Sequence, residues 1–293
     1  KIDIPSSEIW SSIAQDPAVM PASDANPIQS VKEADVVTFG GNGGRSRRSM
    51  VKRTRQFLVS DLGVISGDTV DSGDVGITSY MTANPILETL DGTVKDTSRT
   101  GLEVTQYISS AAALAPGALY DDDKRVNFIG IQHGSGMAAD GYEVPAFRTG
   151  YEKLVAHRTG STQAVVADYD GKVLSIDEYG ITIEYDGKPK VVKSYPIGKT
   201  FGKHEGAVFP HELVANVKKG QKFSKGAVLT YNKKFFEPDI FNPTQVNWKL
   251  GVYANVVLLE GVDTLEDSSA ISPWLSEKLR AQTTKVKNIA IRF

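Results

Sequence analysis

The stretch QAVVADYDGKVLSIDEYGITIEYDGKPKVVKSY, residues 163–195, decides how the second half of this chain folds. Apolar and polar residues alternate through it, interrupted by Asp-Gly pairs. A period of two sends successive side chains to opposite faces of a sheet, and Asp-Gly supplies the backbone that tight hairpin turns require. The segment reads as antiparallel strands joined by hairpins. Downstream, VKKGQKFSKGAVLTYN (217–232) repeats a strand–turn–strand layout, and VYANVVLLEG (252–261) is a continuous apolar run that suits a buried strand. SPWLSEKLRAQ (272–282) opens on Ser-Pro and spaces Trp274, Leu275 and Leu279 for a short amphipathic helix. KVKNIAIRF (285–293) then alternates again and reads as a strand.

Upstream the texture differs. Pro5, Pro17, Pro21 and Pro27 break any long helix in residues 1–40, while Ser6-Ser7-Glu8 before Ile9, Trp10 and Ile13 suits a short capped helix ending near Asp16-Pro17. GGNGGRSRRSMVKRTR (40–55) is Gly-rich and then basic, SGDTVDSGDVG (66–76) is Gly-rich and acidic, and residues 77–90 read as a short helix. Residues 98–120 turn apolar before the charged run DDDKR (121–125). The expected fold is α+β and β-rich, with a mixed, loop-rich part over 1–150 and a largely antiparallel β part over 151–293.

Composition narrows the function classes. Forty per cent apolar and 23% charged residues are globular values, and a net charge of −2 argues against a chain that coats nucleic acid over its whole surface. The absence of cysteine removes disulfides, thiolate nucleophiles and Cys-based zinc sites. No apolar run approaches the ~18 residues of a membrane span, and the N-terminus lacks a signal-peptide layout. A soluble intracellular protein is expected.

Arg45, Arg47, Arg48, Lys52, Arg53 and Arg55 form the strongest electrostatic signal. Guanidinium groups match phosphate geometry, and glycines let the backbone approach; the alternative is salt bridging to the chain's own acids. GGNGGRS is not a Walker loop, because it lacks GK[ST]. Asp68, Asp71 and Asp74 could mark a calcium loop, but they lack its closing Glu, and turn-forming Asp is commoner. His133, His157, His204 and His211 are scattered, and His133-Gly134-Ser135-Gly136 is only superficially like a nucleophile elbow. Glu266-Asp267 could act on a hard divalent cation or cap the helix near Ser272; spacing alone favours the cap.

Three stretches, in order, resemble the β subunit of multisubunit DNA-dependent RNA polymerases. Asp24-x-Asn26-Pro27, Gly40-Gly41-Asn42-Gly43, the basic cluster, Asp68-Thr69, Asp71 and Asp74-Val75-Gly76 resemble the bacterial run from D-x-x-N-P through GPGG to ETPEGPNIG. DDDKRVNFIGIQHGSGM and VPAFRTGYE (121–152) resemble the segment ending in TGME, and KLGVYANVVLLEGVDTLEDSSAISPWLSEKL (249–279) resembles the segment that carries the family's ED pair. The drift of these motifs is most like the split β subunits of giant bacteriophage polymerases.

The resemblance implies a β-like component spanning the fork loop to the first part of a double-psi β-barrel. It implies that the basic cluster contacts nucleic-acid phosphates and that Arg125 contacts the incoming NTP. Glu266 and Asp267 would assist a second Mg²⁺, directly or through water. The catalytic aspartates belong to a β′-like partner, so none is expected in this chain. Implied partners are β′-like subunits, remaining β fragments, a phage specificity subunit, DNA template, RNA and NTPs, and the setting is the infected bacterial cytoplasm or the virion. Glu33-Ala34-Asp35-Val36-Val37 replaces basic residues of the family's drug pocket, which implies weak or absent rifampicin binding. The competing class is a non-catalytic β-rich structural or binding module of a phage particle.

Overall fold

A computed structural model describes residues 5–16, 19, 21–41, 43–89, 91–94, 100–187, 189–259 and 268–291. Helix and strand account for about 24% each, with a loop-rich N-terminal part and several antiparallel sheets, as the patterning predicts. Helix α1 (Ser6–Gln15) ends at Asp16 and buries none of its residues. Helix α2 (Pro27–Asp35) begins where Asn26 Oδ1 accepts from the backbone N–H groups of Ile28 and Gln29, with Pro27 preset for the first turn.

Strands β1 (Val36–Thr38) and β2 (Thr78–Tyr80) pair antiparallel, with Val36 opposite Tyr80. Residues 77–89 are therefore not a helix. Thr78, Tyr80 and Thr82 favour extended backbone, and the residue before Pro85 is biased away from helix. The ladder also makes residues 39–77 one long excursion closed at its base, where Phe39 N–H donates to Ile77 O at 2.8 Å. Helix α3 (Asp123–Gly134) starts from Asp122, whose carboxylate accepts from Lys124 N–H, and the short α4 (Val155–Arg158) follows.

The β-rich part runs β3 (Ala164–Val166), β4 (Gly171–Ile176), β5 (Gly180–Tyr185), β6 (Val191–Pro196), β7 (Gly198–His204), β8 (Ala207–Ala215), β9 (Lys222–Phe223), β10 (Val228–Asn232), β11 (Phe236–Pro238) and β12 (Val246–Trp248), then α5 (Pro273–Lys278) and β13 (Thr284–Lys285). One sheet has the order β6-β5-β4-β9. A second has β13-β8-β10-β3 with β7 also on β8, and β11 pairs with β12. Among the described residues these sheets close no barrel. The predicted alternation is visible on β5, where Ile181, Ile183 and Tyr185 face inward.

Two cores hold the molecule together. One joins Val173, Ile181, Ile183 and Tyr185 to Phe223 and Leu229. The other gathers Ile28, Leu114 and Val155 with Phe235, Phe236, Val246 and Trp248, so it draws on residues from both sides of position 150. Two strand expectations fail. Residues 252–259 join no strand among the described residues; Tyr253 N–H donates to Glu143 Oε2 at 3.0 Å, while Val256 and Leu258 are 90% and 98% exposed. Of the last segment only Thr284–Lys285 pairs, while Val286, Ile289 and Ile291 stand in solvent. Apolar β-formers need a neighbouring edge, and the described residues supply none.

Candidate nucleic-acid interface

The base of the site is a clamp built on Asp24-Ala25-Asn26-Pro27. Asp24 O accepts from Gln163 Nε2 at 2.8 Å and from His211 Nε2 at 2.7 Å, while its carboxylate accepts from Thr162 Oγ1 at 3.0 Å. Asn26, besides capping α2, donates through Nδ2 to His133 O at 2.9 Å and Gly136 O at 2.7 Å, satisfying carbonyls at the end of α3. Four residues thus fasten the β-rich sheet, α2 and α3 together. Burial pushes His133 and His211 below the usual histidine range, so both are neutral side chains of the interior. Ser135 Oγ donates to Ile131 O at 2.8 Å, which makes the His133–Gly136 stretch a helix end with no nucleophile.

The excursion 39–77 folds its basic stretch against its acidic one. Arg47 makes a bidentate pair with Asp74, Nε–Oδ1 at 2.8 Å and Nη2–Oδ2 at 2.7 Å, and holds that carboxyl below its usual range. Arg55 donates to Gly73 O at 2.7 Å, Val75 O at 2.8 Å and Arg47 O at 3.2 Å. Arg45 donates to Gly76 O at 2.8 Å and lies over the Phe39 ring. Gly76 needs its left-handed φ of 77°, and a Cβ there would meet Arg55 Cα at 2.7 Å. These three arginines build the loop. Arg48, Lys52 and Arg53 are exposed, and among the described residues none of them enters an ion pair. Arg53 lines an open cleft of about 580 Å³ with Phe39, Met50 and Leu58.

The three aspartates of 66–76 go to three different elements. Asp68 is buried and accepts from Ser109 N–H at 3.0 Å and Ser109 Oγ at 2.8 Å; Asp71 pairs with Lys124 of α3 at 2.8 Å; Asp74 takes Arg47. They diverge, and no group of three or more acidic or imidazole side chains that could hold a metal occurs among the described residues. The Asp71–Lys124 contact sets the N-terminus of α3 beside the loop. Arg125 stands exposed there, its guanidinium 5.8 Å from the Phe128 ring centroid, close enough to Asp71 to lower that carboxyl further. The structure therefore joins the arginine loop and Arg125 through the acidic segment. Glu266 and Asp267 lie outside the described residues, and the cap of α5 is Ser272, whose Oγ accepts from Leu275 N–H.

Sequence reading missed the layer behind this face. Lys32 is buried, donates to Asn127 Oδ1 at 3.1 Å and sits 4.0 Å from the Tyr80 ring centroid. Burial lowers its pKa, opposed by Asp68 and Asp35, while burial raises that of Asp35. Nothing local in Val31-Lys32-Glu33 announces a buried lysine, because its partners come from α3 and the acidic segment. Asp239 was missed too: it accepts from Asn247 Nδ2 at 2.8 Å and from the N–H groups of Phe241 and Asn242, and pairs with Lys153 at 3.1 Å.

A family model described as Bacteriophage RNA polymerase matches residues 1–47. The match covers α1, the Asp24–Pro27 clamp, β1 and the first two arginines, and it supports a role related to phage RNA polymerase. No curated protein matches the chain. Among the described residues no helix is long and apolar enough to cross a membrane.

Proposed function

We propose that this chain is a β-like component of a phage-type multisubunit DNA-dependent RNA polymerase and contributes nucleic-acid and NTP contacts to template-directed RNA synthesis. The observation that carries the reading is the division of labour in the basic loop. Arg45, Arg47 and Arg55 fix its shape, which leaves Arg48, Lys52 and Arg53 exposed, while the Asp71–Lys124 pair sets the exposed Arg125 beside the acidic half of the same loop. Cations left unpaired on a loop stiffened by their neighbours suit phosphate contact. The match over residues 1–47 supports the phage polymerase setting.

In this reading residues 1–150 form the fork-loop side and 151–293 the β-rich side, which supplies part of a double-psi barrel. Arg125 holds the NTP phosphates, and Glu266 and Asp267 assist a second Mg²⁺ carried mainly by the β′-like partner. Both acids lie outside the described residues. Nucleotidyl transfer belongs to the assembled enzyme, with β′-like subunits, remaining β fragments and a specificity subunit, in the infected cell or virion. The exposed run 253–259 supports a partner-dependent chain.

The test is copurification of the full chain with the products of neighbouring reading frames, followed by RNA extension on a primed scaffold. Replacing Arg48, Lys52 and Arg53 together with Ala should lower the slope of log affinity against log salt by about 2–3, near 0.9 per lost phosphate contact. Incorporation into a particle without RNA synthesis would favour the structural-module reading instead.

A further inference from the structure

Several lysines of the β-rich half stand in ion pairs. Lys190 meets Glu184 at 2.6 Å, Lys193 meets Asp168 at 3.2 Å, Lys233 meets Glu212 at 2.5 Å, and Lys234 meets Asp140. The hairpin between β8 and β10 instead gathers four that are not. Lys218, Lys219, Lys222 and Lys225 are all exposed, and Lys172 of β4 lies directly opposite Lys222 of β9. None of the five takes part in an ion pair among the described residues.

Like charges facing each other across two strands are destabilising. The carboxylate opposite Lys172 on its other side, Glu184, is already engaged by Lys190. Lys222 and Lys225 line a cleft of about 450 Å³ together with Asp170 and Asp186, and one Asp170 oxygen is occupied by Lys225 N–H at 2.7 Å. Gly220 and Gly226, at φ 78° and 85°, make the turns that present the lysines. The large apolar residue of the hairpin, Phe223, is buried at 7% exposure. The hairpin itself, residues 216–227, offers positive charge and no exposed large apolar side chain. Protein interfaces depend on buried aromatic or aliphatic anchors, whereas a phosphate backbone needs only cations.

We infer that Lys172, Lys218, Lys219, Lys222 and Lys225 form a second nucleic-acid-binding face that holds phosphodiester backbone without reading sequence. The inference goes beyond the polymerase reading, because neither the arginine loop nor the family match enters it. The chain has no cysteine, so a single Ser224→Cys substitution can carry a benzophenone photocrosslinker in the full chain within the complex it purifies with. A Gln56→Cys probe reports separately on the arginine loop.

With random-sequence duplex DNA, irradiation of the Ser224→Cys probe should crosslink nucleic acid. The quadruple variant K218A/K219A/K222A/K225A should bind that DNA at least tenfold more weakly near 0.1 M salt and lose about 3 from its salt slope. Its melting temperature should not fall below the parent's, since all four side chains are exposed and the Lys172–Lys222 repulsion is relieved. Unchanged affinity and slope would overturn the inference, as would a crosslink from position 224 to protein, the outcome for an acidic protein partner. A crosslink from position 56 alone would sink this face and leave the polymerase reading standing; one from position 224 alone would do the reverse.

Discussion

Asn26 does at one position what usually takes two side chains. Its oxygen caps α2 and its amide nitrogen closes two carbonyls at the end of α3, all at 1% exposure. Asn26→Ala should cost about 3 kcal/mol, one for the cap and one for each carbonyl left unpaired, seen as a lower urea midpoint with unchanged slope. Acid stability follows from three other residues. His133 and His211 stay neutral when folded but take up protons near pH 6.5 when unfolded, so the stability they contribute is present above that pH and lost below it. Asp239, held far below the usual range first by Asn247, adds stability that is present above pH 3.8 and lost as pH falls further. Melting temperature should fall from pH 7.5 to 5.5 and again below about pH 4; a flat profile would contradict these assignments, and Asp239→Asn should make the second fall shallower, the remainder coming from Asp71 and Asp74.

At the scale of the element, the basic stretch 43–61 of the excursion buries no residue and owes its shape to a few charged side chains, whereas Ile65, Asp68 and Ile77 tie the rest to the interior. Arg55 bonds three carbonyls from two parts of the loop, and charge-assisted bonds of this kind are worth about 2 kcal/mol together when half-exposed. Arg55→Ala should make residues 40–76 markedly more sensitive to a protease that cuts after apolar residues. Arg48→Ala should leave the cleavage rate as it is, because Arg48 fixes nothing, while weakening nucleic-acid binding. The exposed Arg47–Asp74 pair, at 69% and 39% side-chain exposure, stabilises the loop less than its geometry suggests, since solvent screens it.

For the whole molecule the dominant fact is apolar surface left in water. Val256, Val257, Leu258 and Leu259 are 71–98% exposed in an unpaired stretch, and α1 turns Ile9, Trp10 and Ile13 outward as well. Burying the first four against a partner would be worth roughly 6–10 kcal/mol before ordering costs. The isolated chain should therefore self-associate, and Val256→Asp with Leu258→Asp should make it more soluble by light scattering while abolishing copurification with partner subunits. A stable monomer with unmodified apolar segments would count against a multisubunit role.

Local patterning was enough to determine the antiparallel β-rich half, the turns, α1 and the helix after Ser272, because strand alternation, Asp-Gly turns and caps are decided within a few residues. It also located the basic cluster, since charge is read directly from residue type. It could not tell builder arginines from displayed ones: the partners of Arg45, Arg47 and Arg55 include residues 18–31 positions away, reached only when β1 pairs with β2. For the same reason Asp68, Asp71 and Asp74 looked like one site and proved to be three separate anchors. Strand propensity at 252–259 and 286–291 was equally visible, but propensity names a preference and not a partner. Only the tertiary structure showed that the described residues leave those segments without one.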